Sequence, residues 1–399
     1  MDLKTGFFKE VKVMRDPIHN YIQVRLPLIW ELINAPEFQR LRRIHQLSGA
    51  YLVFHTAEHS RFGHSLGTYE IVRRMLNEVD DLKQQLSDLE KLTVMIAGLL
   101  HDIGHWPFSH AFEFISPVRH EEMTKRIILG DSEINKILKK YDEKLPELVS
   151  SIIDHSHPNK LLSQLISGQL DADRMDYLLR DSYFTGTKYG EFDLERVLRT
   201  LKVYDNQLAV KESGIHTIED YIMARYHMYW QVYYHAGIRA FEAMLVLLFR
   251  RLKEIRTVKD YPIFTAFFNQ EKVTISQHFS FDDYSSYQGF YLLKQDNDEI
   301  LSDLANRLIN RRLFAYQDIQ IKDNINNYQQ LIPGKDPNYY LYKDTTSQIP
   351  YRPYLAQEEN LIKVLNKDNK LVELSEISHI VRAIVQGEIK EDSKLFYPE

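Results

Sequence analysis

The sequence predicts a mostly α-helical protein with small β-hairpins and a mixed α+β C-terminal region. Apolar residues recur at three-to-four spacing through most of residues 28–255, which is the period of helices that bury one face. Two pairs of short apolar segments flank turns rich in Asp and Asn, and this pattern predicts β-hairpins. After Tyr261 the chain becomes more polar and rich in Phe and Tyr, so we expect a different arrangement there.

The elements before residue 261 follow from local patterns. Residues 8–15 alternate as a strand does, and Asp16-Pro17 ends that strand. Thr217-Ile-Glu-Asp220 has the spacing of a capping box and predicts the start of a long helix that continues toward Leu252. Helical spacing marks residues 28–47, 65–86, 92–100 and 121–140, and residues 201–204 and 207–210 flank the first hairpin turn.

The elements after residue 261 are more varied. Residues 277–289 are polar and aromatic, a helix is predicted from about 298 to about 314, and residues 327–357 are expected to form an ordered loop or extended segment. Residues 361–365 and 370–374 flank the second predicted hairpin. These changes predict an extended N-terminal segment (1–27), a helical core (28–260) and a C-terminal helical and hairpin region (261–399).

Composition narrows the chemistry that is available. The 399-residue chain contains no Cys, so disulfides and a Cys nucleophile are excluded and any metal must be held by nitrogen and oxygen atoms. A net charge of −6 argues against a general phosphate-backbone binder, so nucleic acid is not an expected partner. The N-terminus lacks the apolar region of a signal peptide, and no apolar run approaches the ~18 residues that span a bilayer. We therefore expect a cytoplasmic protein without membrane contact.

An adjacent histidine and aspartate, His101-Asp102, end the apolar run 92–100. Burying either group without a partner is costly, so such a pair indicates a site. With His64 upstream and Asp173 downstream, the pair supplies two imidazoles and two carboxylates, which suit one divalent metal with room left for water. This set makes a hydrolase the first hypothesis.

The segment around Asp173 carries acids at helical spacing. Asp173, Tyr177 and Asp181 are at i, i+4 and i+8, on one face of a predicted helix. In isolation, the segment would be interpreted as a surface helix whose acids pair with Arg174 and Arg180. Because three other candidate ligands accompany it, metal binding is the preferred interpretation.

A second group of histidines, His105, His110 and His120, follows the candidate metal ligands. His110 and Glu113 are at i, i+3 on a predicted helix, an arrangement in which a carboxylate fixes the tautomer of a base. Histidines also cluster on surfaces by chance, so this pair alone is weak support for a function. Within reach of an activated water, it is a candidate for general acid/base catalysis.

Several motifs surround the candidate ligands. They are Asp16-Pro-Ile-His19, Phe38-Gln-Arg-Leu-Arg-Arg-Ile-His-Gln-Leu47, Arg61-Phe-Gly-His-Ser-Leu66, His101-Asp-Ile-Gly-His105 with Pro107-Phe-Ser-His110, and Asp171-Ala-Asp-Arg-Met-Asp-Tyr177. With these motifs and the order His64…His101-Asp102…Asp173, which is an H…HD…D pattern, the chain resembles the HD-domain deoxynucleoside triphosphate triphosphohydrolases (dNTPases). That family includes a mammalian enzyme with a SAM and an HD domain and shorter bacterial relatives. The resemblance covers about residues 9–315, is looser over 316–399, and includes no SAM domain.

The resemblance implies an HD-domain helical bundle for the catalytic core and a role for each matched residue. It does not distinguish among Mn, Mg, Fe, Ni and Zn as the one divalent metal per subunit. Arg174 stands where the family often has Lys, a change that keeps the charge. The implied roles are metal ligation by His64, His101, Asp102 and Asp173; surroundings of the α-phosphate by His105, His110 and His120, with His110 and Glu113 as the proton-transfer pair; triphosphate binding by Arg61, Arg174 and Arg225; binding of the sugar 3′-hydroxyl by Gln46 and Asp181; crowding at C2′ by Leu47 and Tyr177; and base contact by Tyr233.

The resemblance also implies nucleotide effectors bound between subunits. A dGTP- or GTP-like effector is expected, with a second deoxynucleotide as a further candidate. Asn34 stands where the mammalian enzyme has an Asp that reads guanine, and Ala315 replaces a lysine, so we expect looser guanine preference. The C-terminal region would supply oligomer contacts, and we expect a homo-oligomer, a tetramer. The residues that match the guanine-nucleotide pocket are Lys12, Val13, Gln39, Arg42 and Arg311, and Arg196 matches the adjoining site.

The resemblance therefore implies a metal-dependent hydrolase that converts a dNTP and water to a deoxynucleoside and triphosphate by attack at the α-phosphorus. One alternative is another HD-family phosphohydrolase or phosphodiesterase acting on a nucleotide monophosphate, cyclic nucleotide or alarmone; the continuity of the motifs from Gln46 to Asp181 argues against it. A second alternative is a nucleotide- or nucleic-acid-binding protein without catalysis. The complete ligand set and the His110-Glu113 pair argue against that reading, because a sensor would not need them.

Overall fold

The structure, a computed structural model, describes residues 6–348, 361–387 and 390–399. Its fold is mostly α-helical with small sheets and a mixed C-terminal region, so the predicted fold class is confirmed. The first five residues of the predicted N-terminal segment and residues 349–357 of the predicted loop lie outside the described residues.

A β-hairpin precedes the first helices. Strands β1 (Lys12–Asp16) and β2 (Asn20–Val24) pair antiparallel, with Lys12 opposite Val24. The prediction of one helix over 28–47 is wrong, because α1 (Pro27–Asn34) and α2 (Pro36–Arg40) are separated at Ala35 and a 3₁₀ turn follows. Ala35 is extended (φ −63°, ψ 141°), since the ring of the next residue, Pro36, disfavours helical geometry before it.

The helical core then follows in chain order. α5 begins with a capping box between Ser87 and Glu90. Gly130 ends α7, so the single helix predicted over 121–140 is two helices. The core helices are α3 (Arg61–Glu78), α4 (Asp80–Gln85), α5 (Asp88–Leu100), α6 (His110–Glu113), α7 (His120–Leu129), α8 (Glu133–Tyr141), α9 (Leu145–Ile153), α10 (Lys160–Ser167), α11 (Ala172–Thr185) and α12 (Leu194–Thr200).

The first predicted hairpin is confirmed as β3 (Leu201–Tyr204) and β4 (Gln207–Lys211), joined by Asp205 and Asn206, whose φ values of 49° and 54° are those of a tight hairpin turn. The predicted capping box at Thr217 is wrong. Helix α13 (Ile215–Met228) begins two residues earlier from a 3₁₀ turn, and the carboxylate of Glu219 bonds His216 and Ser378. A π-helical turn, Tyr229–Tyr233, separates α13 from α14 (Ala236–Ile255).

The C-terminal region adds short helices and joins the core through a sheet. The predicted second hairpin is confirmed as β7 (Lys363–Leu365) and β8 (Leu371–Glu373), and β7 pairs parallel with β4. Strand β9 (Lys390–Tyr397) lies between β5 (Ala315–Asp318) and β6 (Tyr342–Gln348). The polar stretch 277–289 carries parts of two helices that its composition did not predict. The helices here are α15 (Thr265–Phe268), α16 (Ile275–Phe279), α17 (Asp283–Leu293), α18 (Glu299–Ile309), α19 (Pro337–Tyr340), α20 (Leu374–Ile377) and α21 (His379–Gln386).

A hydrophobic core extends from Ile22 on β2 to Phe396 on β9 and includes most of the apolar faces of the long helices. The predicted division of the chain at residue 260 stays a prediction. Among the described residues, no individual helix has the length and apolarity to cross a membrane; Glu212–Tyr233 and Ala236–Ile255 meet those criteria only as a pair, which is bent by 59°.

Candidate active site

The ends of three helices bring the four candidate metal ligands together. His64 lies near the start of α3, His101 and Asp102 follow the last turn of α5, and Asp173 lies in the first turn of α11. Gly104 allows the next segment to pack closely, because a Cβ there would lie 2.2 Å from the backbone nitrogen of Thr124 on α7. The helix ends therefore hold side chains from distant parts of the sequence in one place.

The donor atoms of these four residues are close to one another. Nε2 of His64 lies 3.0 Å from Oδ1 of Asp173 and 3.7 Å from Oδ2 of Asp102. Nε2 of His101 lies 3.4 Å from Oδ1 of Asp102 and 3.7 Å from Oδ1 of Asp173. His64, His101 and Asp173 each offer a donor atom within 4.8 Å of the others. Asp102 lies beside this group of three and also accepts a hydrogen bond from Arg61.

The chemistry of the set fits a divalent cation. The buried Nε2 of His101 has no hydrogen-bond partner among the described residues, which leaves its lone pair available to a metal. Burial disfavours a charged His64, but hydrogen bonds to Asp173 and Asp176 outweigh it and raise the pKa of His64 to about 10. Burial opposes the ionised form of Asp173 too, yet its histidine neighbours hold its pKa well below the usual range. The carboxylates thus create a negative potential that favours positive charge at the centre.

Asp176 orients one of the candidate metal ligands, His64, through a hydrogen bond, and the sequence analysis missed this role. Its fully buried carboxylate accepts hydrogen bonds from Nδ1 of His64 at 2.9 Å, Nε2 of His19 at 2.7 Å, and two nitrogens of Arg180 at 2.8 and 2.9 Å. Gly67 makes this approach possible, because a Cβ there would lie 1.8 Å from Oδ1 of Asp176. The ion pair with Arg180 is therefore buried, unlike the surface pairing weighed from the sequence. The quoted motifs contained Asp176 and His19, but only their proximity to His64 reveals the role.

The second histidine group adjoins Asp102. Nε2 of His105 lies 3.4 Å from Oδ1 of Asp102, and the His105 ring stacks on His120 with centroids 3.8 Å apart. Burial holds the pKa of His105 well below its usual range, so this ring is neutral at pH 7. Glu113 lies 3.3 Å from Nδ1 of His110 and makes a shorter hydrogen bond to Nδ1 of His120. The predicted pair is present, with its carboxylate shared by a second imidazole.

The loop before His110 has an uncommon backbone conformation. Phe108 and Ser109 have φ values of 58° and 54°, which bulky residues rarely adopt. The backbone N–H of Phe108 donates to Asp283 at 2.8 Å, and the Ser109 hydroxyl accepts from Nε of Arg61 at 2.7 Å. These contacts fix the position of His110, and strain of this kind collects at functional sites. The sequence analysis missed Ser109 and Asp283.

A cavity of about 250 Å³ lies beside the metal set. At one wall, buried Asp181 accepts hydrogen bonds from the Tyr233 hydroxyl and from Nε2 of His59, both at 2.8 Å. Buried Oε1 of Gln46 has no partner among the described residues, which leaves it available to a ligand. The lining consists of the predicted residues Gln46, Leu47, Arg61, His110, Tyr177, Asp181 and Tyr233, together with Ser48, Ser109, Ala111, Tyr229, Ile238 and Glu242, which were not predicted.

Comparison with known proteins identifies the family. Residues 61–181 match the HD domain, and residues 192–331 match the HD associated region. The chain is 44% identical over 416 residues to the uncharacterized protein YwfO of Bacillus subtilis, with 100% of this chain and 95% of that protein covered. The chain belongs to the HD-domain family. Membership in this family of phosphohydrolases supports hydrolase chemistry at the site, and the grouped His and Asp side chains of the HD domain could hold a divalent metal.

Three other similar proteins match this chain over different shares of their length. The human deoxynucleoside triphosphate triphosphohydrolase SAMHD1 is 29% identical over 308 residues, covering 66% of this chain and 49% of the human protein, so the chain spans about half its length. The crystal structure of a phosphohydrolase from Bacteroides thetaiotaomicron has a TM-score of 0.86 and 28% identity, covering 98% of this chain and 100% of that one. A hypothetical protein from Aquifex aeolicus has a TM-score of 0.78 and 30% identity, covering 98% and 97%.

Two of the residues predicted to bind the triphosphate, Arg174 and Arg225, are not among the residues that line the cavity. Arg174 pairs with Asp171 at 2.5 Å, and Arg225 donates to Oε1 of Gln169 at 3.0 Å. Both are close enough to Tyr177, which does line the cavity, to lower its pKa by their positive charge.

The predicted effector residues lie on several different elements of the fold. Nε of Arg42 donates to Gln39 at 2.9 Å, and its guanidinium lies 3.5 Å from the centroid of Phe62. Arg311 donates to the backbone oxygen of Leu52 at 2.6 Å. No hydrogen bond or ion pair among the described residues joins Arg42 and Gln39 to Arg311 or to the rest of the set; Asn34 bonds the Trp30 carbonyl, Arg196 bonds the Ser213 carbonyl, and Lys12 and Val13 are exposed on β1. Their assembly into one pocket stays a prediction.

Proposed function

We propose that this HD-domain protein is a metal-dependent dNTPase, which converts a dNTP and water to a deoxynucleoside and inorganic triphosphate. One observation carries the proposal: a single cavity is lined by a cation and an imidazole, Arg61 and His110, and by residues suited to a deoxyribose. Arg61 also bonds Asp102, which ties this cavity to the candidate metal set.

The lining supports selection of a 2′-deoxy sugar. Asp181 and Gln46 offer oxygen acceptors for a sugar hydroxyl, while Leu47 and the ring of Tyr177 offer carbon surface. A ribose 2′-hydroxyl against that carbon surface would lose hydrogen bonds to water without replacement. We therefore expect dNTPs to be preferred over NTPs.

The reaction that fits is attack of water on the α-phosphorus. The water oxygen bonds to phosphorus, the bond from phosphorus to the 5′-oxygen breaks, and one proton passes to the leaving 5′-oxygen. His110 lies on the cavity wall and is the residue placed to move this proton, with Glu113 orienting its ring. Arg61 offsets charge on the triphosphate. A divalent metal held by His64, His101, Asp102 and Asp173 would supply Lewis-acid polarisation of the phosphate.

Regulation, assembly and location form the further part of this proposal. We propose a cytoplasmic homotetramer in which a purine nucleotide binds between subunits and raises activity. Lys12, Arg42 and Arg311 come from distant positions in the sequence, and three cations gather only around an anion, which supports a nucleotide pocket shared by subunits. Size-exclusion chromatography with and without dGTP tests it, and a monomer under both conditions would exclude it.

Incubation with dNTPs and Mn²⁺ tests the activity. Each dNTP is supplied singly and in pairs, and triphosphate and deoxynucleoside are separated by anion-exchange chromatography. We expect both products in equal amounts, with matched NTPs turned over far more slowly. Hydrolysis of cyclic nucleotides or monophosphates without dNTP turnover would support the alternative phosphohydrolase, and binding without any turnover would support a sensor.

A further inference from the structure

One carboxyl group in the cavity has no role in the proposed chemistry. Glu242 lies on α14, one turn after Ile238, and both side chains line the cavity. Within the part of the chain that the structure describes, the Glu242 carboxyl group makes no hydrogen bond and no ion pair. Its side chain is half-buried rather than sealed from the cavity, so it remains accessible to a ligand.

The nearest cation does not neutralise Glu242. Arg239 precedes Glu242 by one helical turn, but Nε of Arg239 bonds Asp344 at 2.6 Å and its Nη1 bonds Asp392. Burial, reinforced by Asp344 and only partly offset by Arg239, raises the pKa of Glu242 to about 8. The carboxyl group is therefore protonated at pH 7 and offers one donor and one acceptor. The charged or titratable groups around it are Arg239 on its own helix, Asp344 and Tyr342 on β6, and, in the cavity lining, Arg61, His110, Tyr177, Asp181, Tyr229 and Tyr233.

The other charged side chains of the cavity, and Gln46, already have roles in the proposed function. Arg61 and His110 are placed for the phosphates, and Asp181 with Gln46 for the sugar. The remaining lining combines aromatic and apolar surface with a hydroxyl group and one carboxyl group, and it consists of Ser48, Ala111, Tyr229, Ile238 and Glu242 together with Tyr233. This combination is typical of a pocket for a flat heterocycle whose edge needs a hydrogen-bond partner.

We propose that Glu242 hydrogen-bonds the edge of the substrate base and allows the enzyme to accept all four dNTPs at neutral pH. The inference rests on the proposed dNTPase function. Each of the four bases has a hydrogen-bond donor next to an acceptor on its pairing edge. A protonated carboxyl matches either order of these two groups by rotating its O–H, so it accepts all four bases. An ionised carboxylate offers acceptors only and is disfavoured by thymine, whose single N–H lies between two carbonyl oxygens.

The ratio of kcat/KM for dGTP to kcat/KM for dTTP, measured at pH 7.0 and pH 8.8, tests the proposal. Titrating groups that act on the triphosphate or on water affect both substrates and cancel in this ratio. In the wild-type protein we expect the ratio to rise about tenfold between the two pH values, the effect of one hydrogen bond lost at a charged group. In Glu242→Gln, which keeps a donor and an acceptor at every pH, the ratio should stay constant.

Two further variants distinguish recognition of the substrate base by Glu242 from a general effect of substitution on the structure. Glu254→Gln changes an exposed acid on the same helix and should keep the wild-type rise with pH. Glu242→Leu should lower kcat/KM for all four dNTPs about tenfold but leave turnover of 2-deoxyribose 5-triphosphate, which has no base, unchanged. If the wild type turns over no dNTP, the proposed function fails. If it turns over dNTPs and the ratio in Glu242→Gln follows that of the wild type, this inference is overturned and the proposed function stands.

Discussion

Replacing Asp176 by Asn tests whether the buried hydrogen bonds of Asp176 fix the tautomer of His64 and so raise the affinity of the site for a metal. Asp176 accepts the Nδ1–H of His64 at 2.9 Å, so Nε2, which lies next to Asp173, is the nitrogen that would bind a metal once the metal displaces its proton. An Asn amide can present an N–H to His64 and so favour the other tautomer. Loss of such a supporting carboxylate typically lowers metal affinity 10- to 100-fold, or roughly 1.4 to 2.7 kcal/mol.

The same substitution removes a buried ion pair with Arg180, so the free energy of unfolding should fall. We expect a loss of roughly 3 kcal/mol, the lower end for such pairs, because Asp16 still pairs with Arg180 at 2.9 Å. Calorimetric titration with Mn²⁺ gives the affinity, and thermal unfolding gives the stability. Asp171→Asn is the matched control, since it keeps a helix-capping side chain on α11 without touching His64. Unchanged Mn²⁺ affinity in Asp176→Asn, with only stability reduced, would refute the tautomer argument.

Four further outcomes are expected. Asp102→Ala should abolish turnover and most metal binding; full metal occupancy by elemental analysis with normal activity would exclude it as a ligand. His110→Ala should keep metal and substrate binding but lower kcat by a factor of about 10² to 10⁴, and an unchanged rate in rapid-quench assays would exclude proton transfer by this ring. Arg42→Ala should reduce activation by purine nucleotides while metal content stays the same; equal activation curves would contradict the effector assignment. Because the pKa of Glu242 is raised from 4.5 to about 8, the folded chain holds a proton that the unfolded chain loses, so wild-type stability falls as pH rises between these values. The Tm of Glu242→Gln should therefore exceed that of the wild type by a margin that grows toward pH 8.5, to a few °C, and a margin independent of pH would contradict this reasoning.

The local chemistry of the chain was enough to predict the helical fold class and the hairpins β3–β4 and β7–β8, but not the hairpin β1–β2. The turn at Asp205-Asn206 shows why, because these residues tolerate the positive φ that a tight hairpin needs. Helix ends were harder, since the apolar period continues across Pro36 and Gly130 where the backbone breaks. The false capping box at Thr217 shows the same limit, because α13 already begins at Ile215, where it continues from a 3₁₀ turn.

The candidate ligands were found from the sequence because imidazoles and carboxylates at the ends of apolar helices are distinctive. Their supporting groups were not found, because Asp176 and His19 are 157 positions apart and only packing brings them together. Glu242 was also missed, since a single acid in the apolar period of α14 has no local pattern that separates it from a surface acid. In both cases the missing information is the distance between elements.

Hydrolysis of a dNTP in ¹⁸O-labelled water tests the central claim most directly. Attack at the α-phosphorus with loss of the 5′-oxygen places the label in inorganic triphosphate and leaves the deoxynucleoside unlabelled. Mass spectrometry of the products should therefore show one ¹⁸O per triphosphate, in the wild type and not in Asp102→Ala. Release of pyrophosphate with a deoxynucleoside monophosphate, or of phosphate with a diphosphate, would contradict the account.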